Sequence, residues 1–135
     1  MSETPLISVV DDDESVRRSI SRLMKSAGFR AEDFVSAEDF LSSGRAHDSA
    51  CLILDVQMPG MDGLQLQRHL AAAGYHVPII FITGQRDGKK QDQAIQAGAV
   101  RFLYKPFSEE DLFDGIRIAL KCGEDGLPAP YVPKK

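Results

Sequence analysis

Short apolar runs recur along the chain at Leu6–Val10, 51–54, 79–82 and 100–104, with a weaker one across 29–35. Each is strand-sized, and the strongest are continuous rather than alternating, the pattern of parallel strands covered by helices on both faces. Between them the apolar positions take a helical spacing. Val16, Ile20, Leu23 and Ala27 share one face and end at Gly28, while Leu66 and Leu70 run up to Gly74. Ser36 with Asp39 opens a short second helix that buries Phe40 and Leu41. Ser108 with Asp111 opens the last helix, whose apolar face is Leu112, Ile116, Ala119 and Leu120.

Strand and helix alternate five times in this reading, which predicts an α/β fold with a doubly wound, five-stranded parallel sheet in the order 2-1-3-4-5. In such sheets ligands bind beyond the carboxyl ends of the strands, near the point where strand order reverses. The residues at those ends are polar. The first strand runs into Asp11, Asp12 and Asp13, the third into Asp55, the fourth into Thr83 and the fifth into Lys105. The topology would gather all of them around one cleft.

Carboxylates held together repel one another, so such a group takes up a proton or a cation. Oxygen ligands favour a hard ion. Magnesium needs octahedral oxygen at about 2.0–2.1 Å and keeps several waters, so two carboxylates, a backbone carbonyl and waters suffice. Lys105 adds a mobile positive charge able to pair with a carboxylate or a phosphoryl oxygen. Thr83 adds a hydroxyl, and Gly84, without a side chain, lets backbone N–H groups approach an incoming oxygen. Metal, lysine, hydroxyl and amides together would spread the charge of an in-line phosphoryl transfer.

Composition narrows the alternatives. The 135 residues suit one domain, with 43% hydrophobic and 27% charged residues, far from the signature of disorder. The domain is placed at residues 1–121. Residues 122–135 are read as a Pro/Gly-rich tail or linker, since Gly123, Gly126, Pro128, Pro130 and Pro133 interrupt regular structure. A formal charge of -4 argues against direct nucleic-acid binding, which needs lysines and arginines to displace counterions. The start MSETPL lacks the basic and hydrophobic parts of a signal peptide, and no run is long enough to span a membrane, so the expected location is cytoplasmic. Cys51 and Cys122 fit neither a disulfide framework nor a zinc spacing. His47, His69 and His76 lack partners at metal-ligand spacing and read as surface residues.

The segments VVDDDES, LILDVQMPGMDG, FITG and FLYKPF resemble the receiver domains of two-component response regulators over roughly residues 5–121, and SAEDFL, ITG and KPF are most similar to the FixJ type. The resemblance implies a flavodoxin-like, CheY-like (βα)5 fold. It makes Asp55 the phosphoacceptor, receiving its phosphoryl group from a sensor histidine kinase, a phosphotransfer protein or a small donor such as acetyl phosphate. Asp12 and Asp55 would bind Mg2+ (or Mn2+) directly, with the carbonyl of Gln57 as a third ligand and Asp11 acting mainly through a water. Thr83 and Lys105 would contact the phosphoryl group. Phe102, three positions before the lysine, would turn inward with Thr83 as the switch, and the Lys105–Pro106 bond would be cis. Gln57 and Gln85 would tune the lifetime of the product. The face of the fourth helix, fifth strand and fifth helix, residues 89–121, would carry the phosphorylation-dependent contact to an output domain or effector, or to a second copy in a homodimer.

Structural readings stand beside these. Asp11 to Asp13 precede a helix, where aspartate is a common cap, and Asp13 is best read that way. Asp55 and Thr83 alone would suit turns, and Arg101 reads as solvated. Two rival functions remain. A haloacid-dehalogenase-type phosphatase would use Asp11 and Asp13 as its DxD, and a pseudo-receiver would act as an interaction module without phosphorylation.

Overall fold

The computed structural model describes residues 4–125. Its five strands are β1 (Leu6–Val10), β2 (Arg30–Phe34), β3 (Cys51–Asp55), β4 (Ile79–Thr83) and β5 (Arg101–Tyr104), all parallel, in the order β2-β1-β3-β4-β5. Every residue of β1, β3 and β4 is buried. These central strands are covered on both faces, which is why their sequences are continuous apolar runs. The edge strand β2 reads RAEDF and is partly exposed, so its signal was weak.

The helices are α1 (Glu14–Ser26), α2 (Ala37–Ser43), α3 (Gly63–Ala72), α4 (Gly88–Gln96) and α5 (Glu109–Asp125). Their starts are built from side-chain caps that satisfy otherwise orphaned N–H groups. Asp13 accepts from Val16 N, and Ser36 accepts from Asp39 N. Asp62 and Gln65 form a capping box on α3. Ser108 Oγ accepts from Asp111 N at 3.0 Å.

The period-two alternation of the strands divides the core in two. Leu52, Leu54, Phe81 and Phe102 face Phe40 of α2, Leu66 and Leu70 of α3 and Ala94 of α4. Ile7, Val9, Ile53, Ile80 and Ile82 face Ile20 and Met24 of α1 and Leu112, Ile116 and Ala119 of α5. Each fully buried side chain of this size contributes about 1.5–3 kcal/mol relative to exposure.

Two features, the extent of α5 and the burial of Arg101, depart from expectation, and α4 shows why it left no apolar signal. Helix α5 passes the expected boundary at Lys121 and runs through Gly123 to Asp125. An interior glycine costs only about 1 kcal/mol relative to alanine, so it weakens a helix without stopping it. Residues 126–135, the remainder of the expected tail, lie outside the described residues. Helix α4, required by the alternation, carries no apolar stripe: GKKQDQAIQ buries Ala94 alone. Arg101 is half-buried rather than solvated, donating to the Val100 carbonyl at 3.0 Å.

Candidate phosphoryl-transfer site

The carboxyl ends of β1, β3, β4 and β5 meet as the sequence predicts. Asp11 follows Val10 directly and is fully buried, tied to the sheet edge by its own N–H donating to the Phe34 carbonyl at 3.2 Å. Asp55 ends β3 and is 5% exposed, and Asp12 is exposed. One carboxylate oxygen from each of Asp11, Asp12 and Asp55 lies within 4.8 Å of the others, the one such ligand cluster among the described residues. Two buried acids and one open to solvent, all offering oxygen, fit a hard divalent cation that keeps part of its water shell.

Lys105 closes this group from β5. Its Nζ lies 3.1 Å from Asp11 Oδ2 and 3.8 Å from Asp55 Oδ1. The other Asp11 oxygen accepts the N–H of Asp13 at 2.9 Å, so both oxygens of this buried carboxylate are engaged. Burial, reinforced by the negative charge of Asp11, pushes the Asp55 carboxyl up from its ordinary 3.8 to about 7, with Lys105 pulling against the rise. One lysine thus balances only part of the charge of two acids.

Thr83, buried at the end of β4, has its hydroxyl turned to the adjoining loop. It accepts from Gln85 N at 3.2 Å and donates to the Gln85 carbonyl at 3.4 Å. Gly84 is exposed, and a Cβ there would meet nothing within 4 Å, so the protein's own packing does not require the glycine. Gln57 and Gln85, from the loops after β3 and β4, reach across to each other, Gln57 Nε2 donating to Gln85 Oε1 at 2.8 Å. Phe102 is 3% exposed and sits against Phe81, their ring centroids 5.9 Å apart. The Lys105–Pro106 bond is cis. Asp13, which a DxD phosphatase would need as a reacting acid, is spent on the α1 cap.

Several positioning residues escaped the sequence reading. Arg17 donates to the Asp11 carbonyl and to Asp33 Oδ2, both at 3.0 Å, and so braces the acidic turn from α1. Glu38 of α2 accepts from Met61 N at 3.0 Å and holds the loop after β3. That hydrogen bond also holds the Glu38 carboxyl below its ordinary value. Gly63 lets α3 start against the site: a Cβ there would lie 2.4 Å from the Asp55 carbonyl oxygen and 3.1 Å from the Phe81 ring. The glycine in MDGL was a visible signal. Arg17 and Glu38 act over long sequence separations and leave no periodic trace.

The sequence profile described as the response regulator receiver domain matches residues 7–117. This chain belongs to that family. The receiver domain is similar to the response regulator protein TmoT of Ectopseudomonas mendocina, 49% identical over 116 residues, which are 86% of this chain and 53% of that protein. It is 38% identical to the transcriptional regulatory protein FixJ of Azorhizobium caulinodans over 93% of this chain and 60% of that one. The chain therefore spans about half the length of the first curated relatives it matches. Among solved structures, the response regulator StyR matches with 43% identity and a TM-score of 0.85, over 91% of this chain and 62% of that chain. The crystal structure of FixJ-N matches with 34% identity and a TM-score of 0.79, over 89% and 96% respectively. Among the described residues no helix is long and apolar enough to cross a membrane.

Proposed function

We propose that this receiver domain takes a phosphoryl group onto Asp55 from the phosphohistidine of a sensor histidine kinase or a phosphotransfer protein. The observation that carries the reading is the convergence of Asp11, Asp12, Asp55 and Lys105 from three strand ends, with Lys105 Nζ within 3.8 Å of both buried acids. In the transfer, an ionised Asp55 oxygen attacks phosphorus, the N–P bond of the donor breaks, and the imidazole leaves with the bond's electron pair and takes up a proton. The product is an acyl phosphate.

Asp11, Asp12 and Asp55, with the carbonyl of Gln57, would hold Mg2+ or Mn2+, which when bound supplies positive charge to the acids and to the phosphoryl oxygens. Lys105, paired with both buried acids, neutralises part of the charge. Thr83 and the backbone after it, at Gly84, offer hydrogen-bond donors to the same oxygens. A Thr83 hydroxyl that leaves Gln85 for the phosphoryl group, with Phe102 packed beside it, changes the face of α4, β5 and α5. That face then controls an output domain or effector, or pairs two receivers. No catalysis on a separate substrate is ascribed to the chain. Relatives named transcriptional regulatory proteins, FixJ and TdiR, favour transcriptional control in the cytoplasm, with any DNA contact made outside this acidic chain.

Incubation with acetyl phosphate and magnesium, followed by mapping of the acyl phosphate by mass spectrometry, tests the assignment. Asp55→Ala abolishes labelling and Asp13→Ala leaves it in place. Labelling that survives in the Asp55 variant would overturn the proposal.

A further inference from the structure

Thr83 and Tyr104 are register partners on adjacent parallel strands, as are Phe81 and Phe102 two residues earlier. All four side chains therefore stand on one face of the sheet. Phe102 lies between two of the others, its ring 5.9 Å from Phe81 and 5.5 Å from Tyr104. It is buried and has no hydroxyl. Tyr104 is half-buried and has one, which donates to Gln91 Oε1 on the first turn of α4. The guanidinium of Arg86 lies 4.5 Å from the centre of the Tyr104 ring, within cation–π range.

These contacts fall at the two ends of one short segment. Thr83 is bonded through its hydroxyl to both backbone groups of Gln85, and Arg86 comes next. Asp87 then caps α4, accepting from Lys89 N at 3.1 Å and Lys90 N at 3.2 Å. Tyr104 grips the segment by its ring at Arg86 and the helix by its hydroxyl at Gln91.

We infer that Tyr104 is the positioning residue that couples Thr83 to α4, its ring seating Arg86 and its hydroxyl holding Gln91. The inference rests on the phosphoacceptor reading of Asp55. A Thr83 hydroxyl that turns to a phosphoryl group gives up both bonds to Gln85, which frees the backbone next to Arg86. The guanidinium is then released from its seat on the ring, and the Tyr104–Gln91 bond decides how far α4 responds. Phe102 fills the space beneath without a polar link of its own, so the hydroxyl that ties strand to helix is the one at Tyr104.

The test uses the isotope-labelled chain with magnesium and beryllofluoride, a mimic of the acyl phosphate, followed by amide NMR shifts. In the wild type, shifts move both in the acidic cleft and across α4. Tyr104→Phe keeps the ring and drops the hydroxyl: the cleft response stays, and the α4 response falls to about half or less as its two states become less distinct. Gln91→Leu removes the acceptor and gives the same loss, and the double variant loses no more than either single one, as two ends of one bond require. A full α4 response in Tyr104→Phe, or additive losses in the double variant, overturns the inference and leaves the phosphoacceptor reading standing. A wild-type cleft that does not respond at all defeats that reading, and the coupling with it.

Discussion

The two halves of the strand-end edge are built on opposite terms. On the β1–β3 side, Asp11 and Asp55 are buried acids with one lysine between them, and the arrangement costs folding energy. On the β4–β5 side, the Phe102 ring packs at a tilt against Phe81 and edge-on against Tyr104, and the three add to the core. The first half holds an unfavourable concentration of negative charge that a cation would relieve. The second is stable as it stands and meets the first at Gly63, which lies against both the Asp55 carbonyl and the Phe81 ring. On the proposed reading, ligand chemistry and structural response fall on neighbouring strands with different physics.

Truncation and neutralisation should therefore act with opposite sign on the two sides. Phe102→Ala leaves a void against Phe81 and Tyr104 and should destabilise by about 3–4 kcal/mol, read as a fall in the urea midpoint with the slope unchanged. Gly63→Ala strikes where the halves touch, since the added carbon meets both the Asp55 carbonyl and the Phe81 ring. A loss of about 2–3 kcal/mol is expected in the same measurement.

Asp55→Asn should instead stabilise. The folded state raises the Asp55 carboxyl to about 7 against an ordinary 3.8, so the folded chain holds a proton that the unfolded chain releases. Wild-type stability then falls as pH rises through that window and levels off above it. In the presence of a chelator, the asparagine variant should match wild type near pH 4 and exceed it by on the order of 2 kcal/mol at pH 8. An equal difference at both pH values would show that charge is not the cause. The smallest effect is expected at Asp62→Ala, which removes the capping box of α3 and should cost about 1 kcal/mol by the same urea titration.

The sequence exposed the two halves unequally. Asp11, Asp12, Asp55, Thr83 and Lys105 could be placed together because each directly ends or follows an apolar run, and parallel topology does the rest. The Asp13 and Ser36 caps were legible for a similar reason: the signal is local. In the sequence Tyr104 is visible only as the end of a strand, because nothing near it announces Arg86 or Gln91. Arg17 and Glu38 were hidden likewise, their partners lying on other elements. The extent of α5 is not legible because glycine, a common stop signal, is only a modest penalty inside a helix.

Helix α4 carries a further consequence. It buries only Ala94 fully, with Ile95 packed in part against the core, and polar contacts add to its attachment: Gln67 Nε2 of α3 donating to the Ala94 carbonyl at 3.1 Å, and the Tyr104–Gln91 bond. Each such hydrogen bond is worth only about 1 kcal/mol net. Local opening of α4 should accordingly require far less free energy than global unfolding, and its amides should exchange with deuterium well ahead of those in β3 and β4. On the proposed reading, a few polar substitutions around α4 would retune the response without touching the apolar core or the acids.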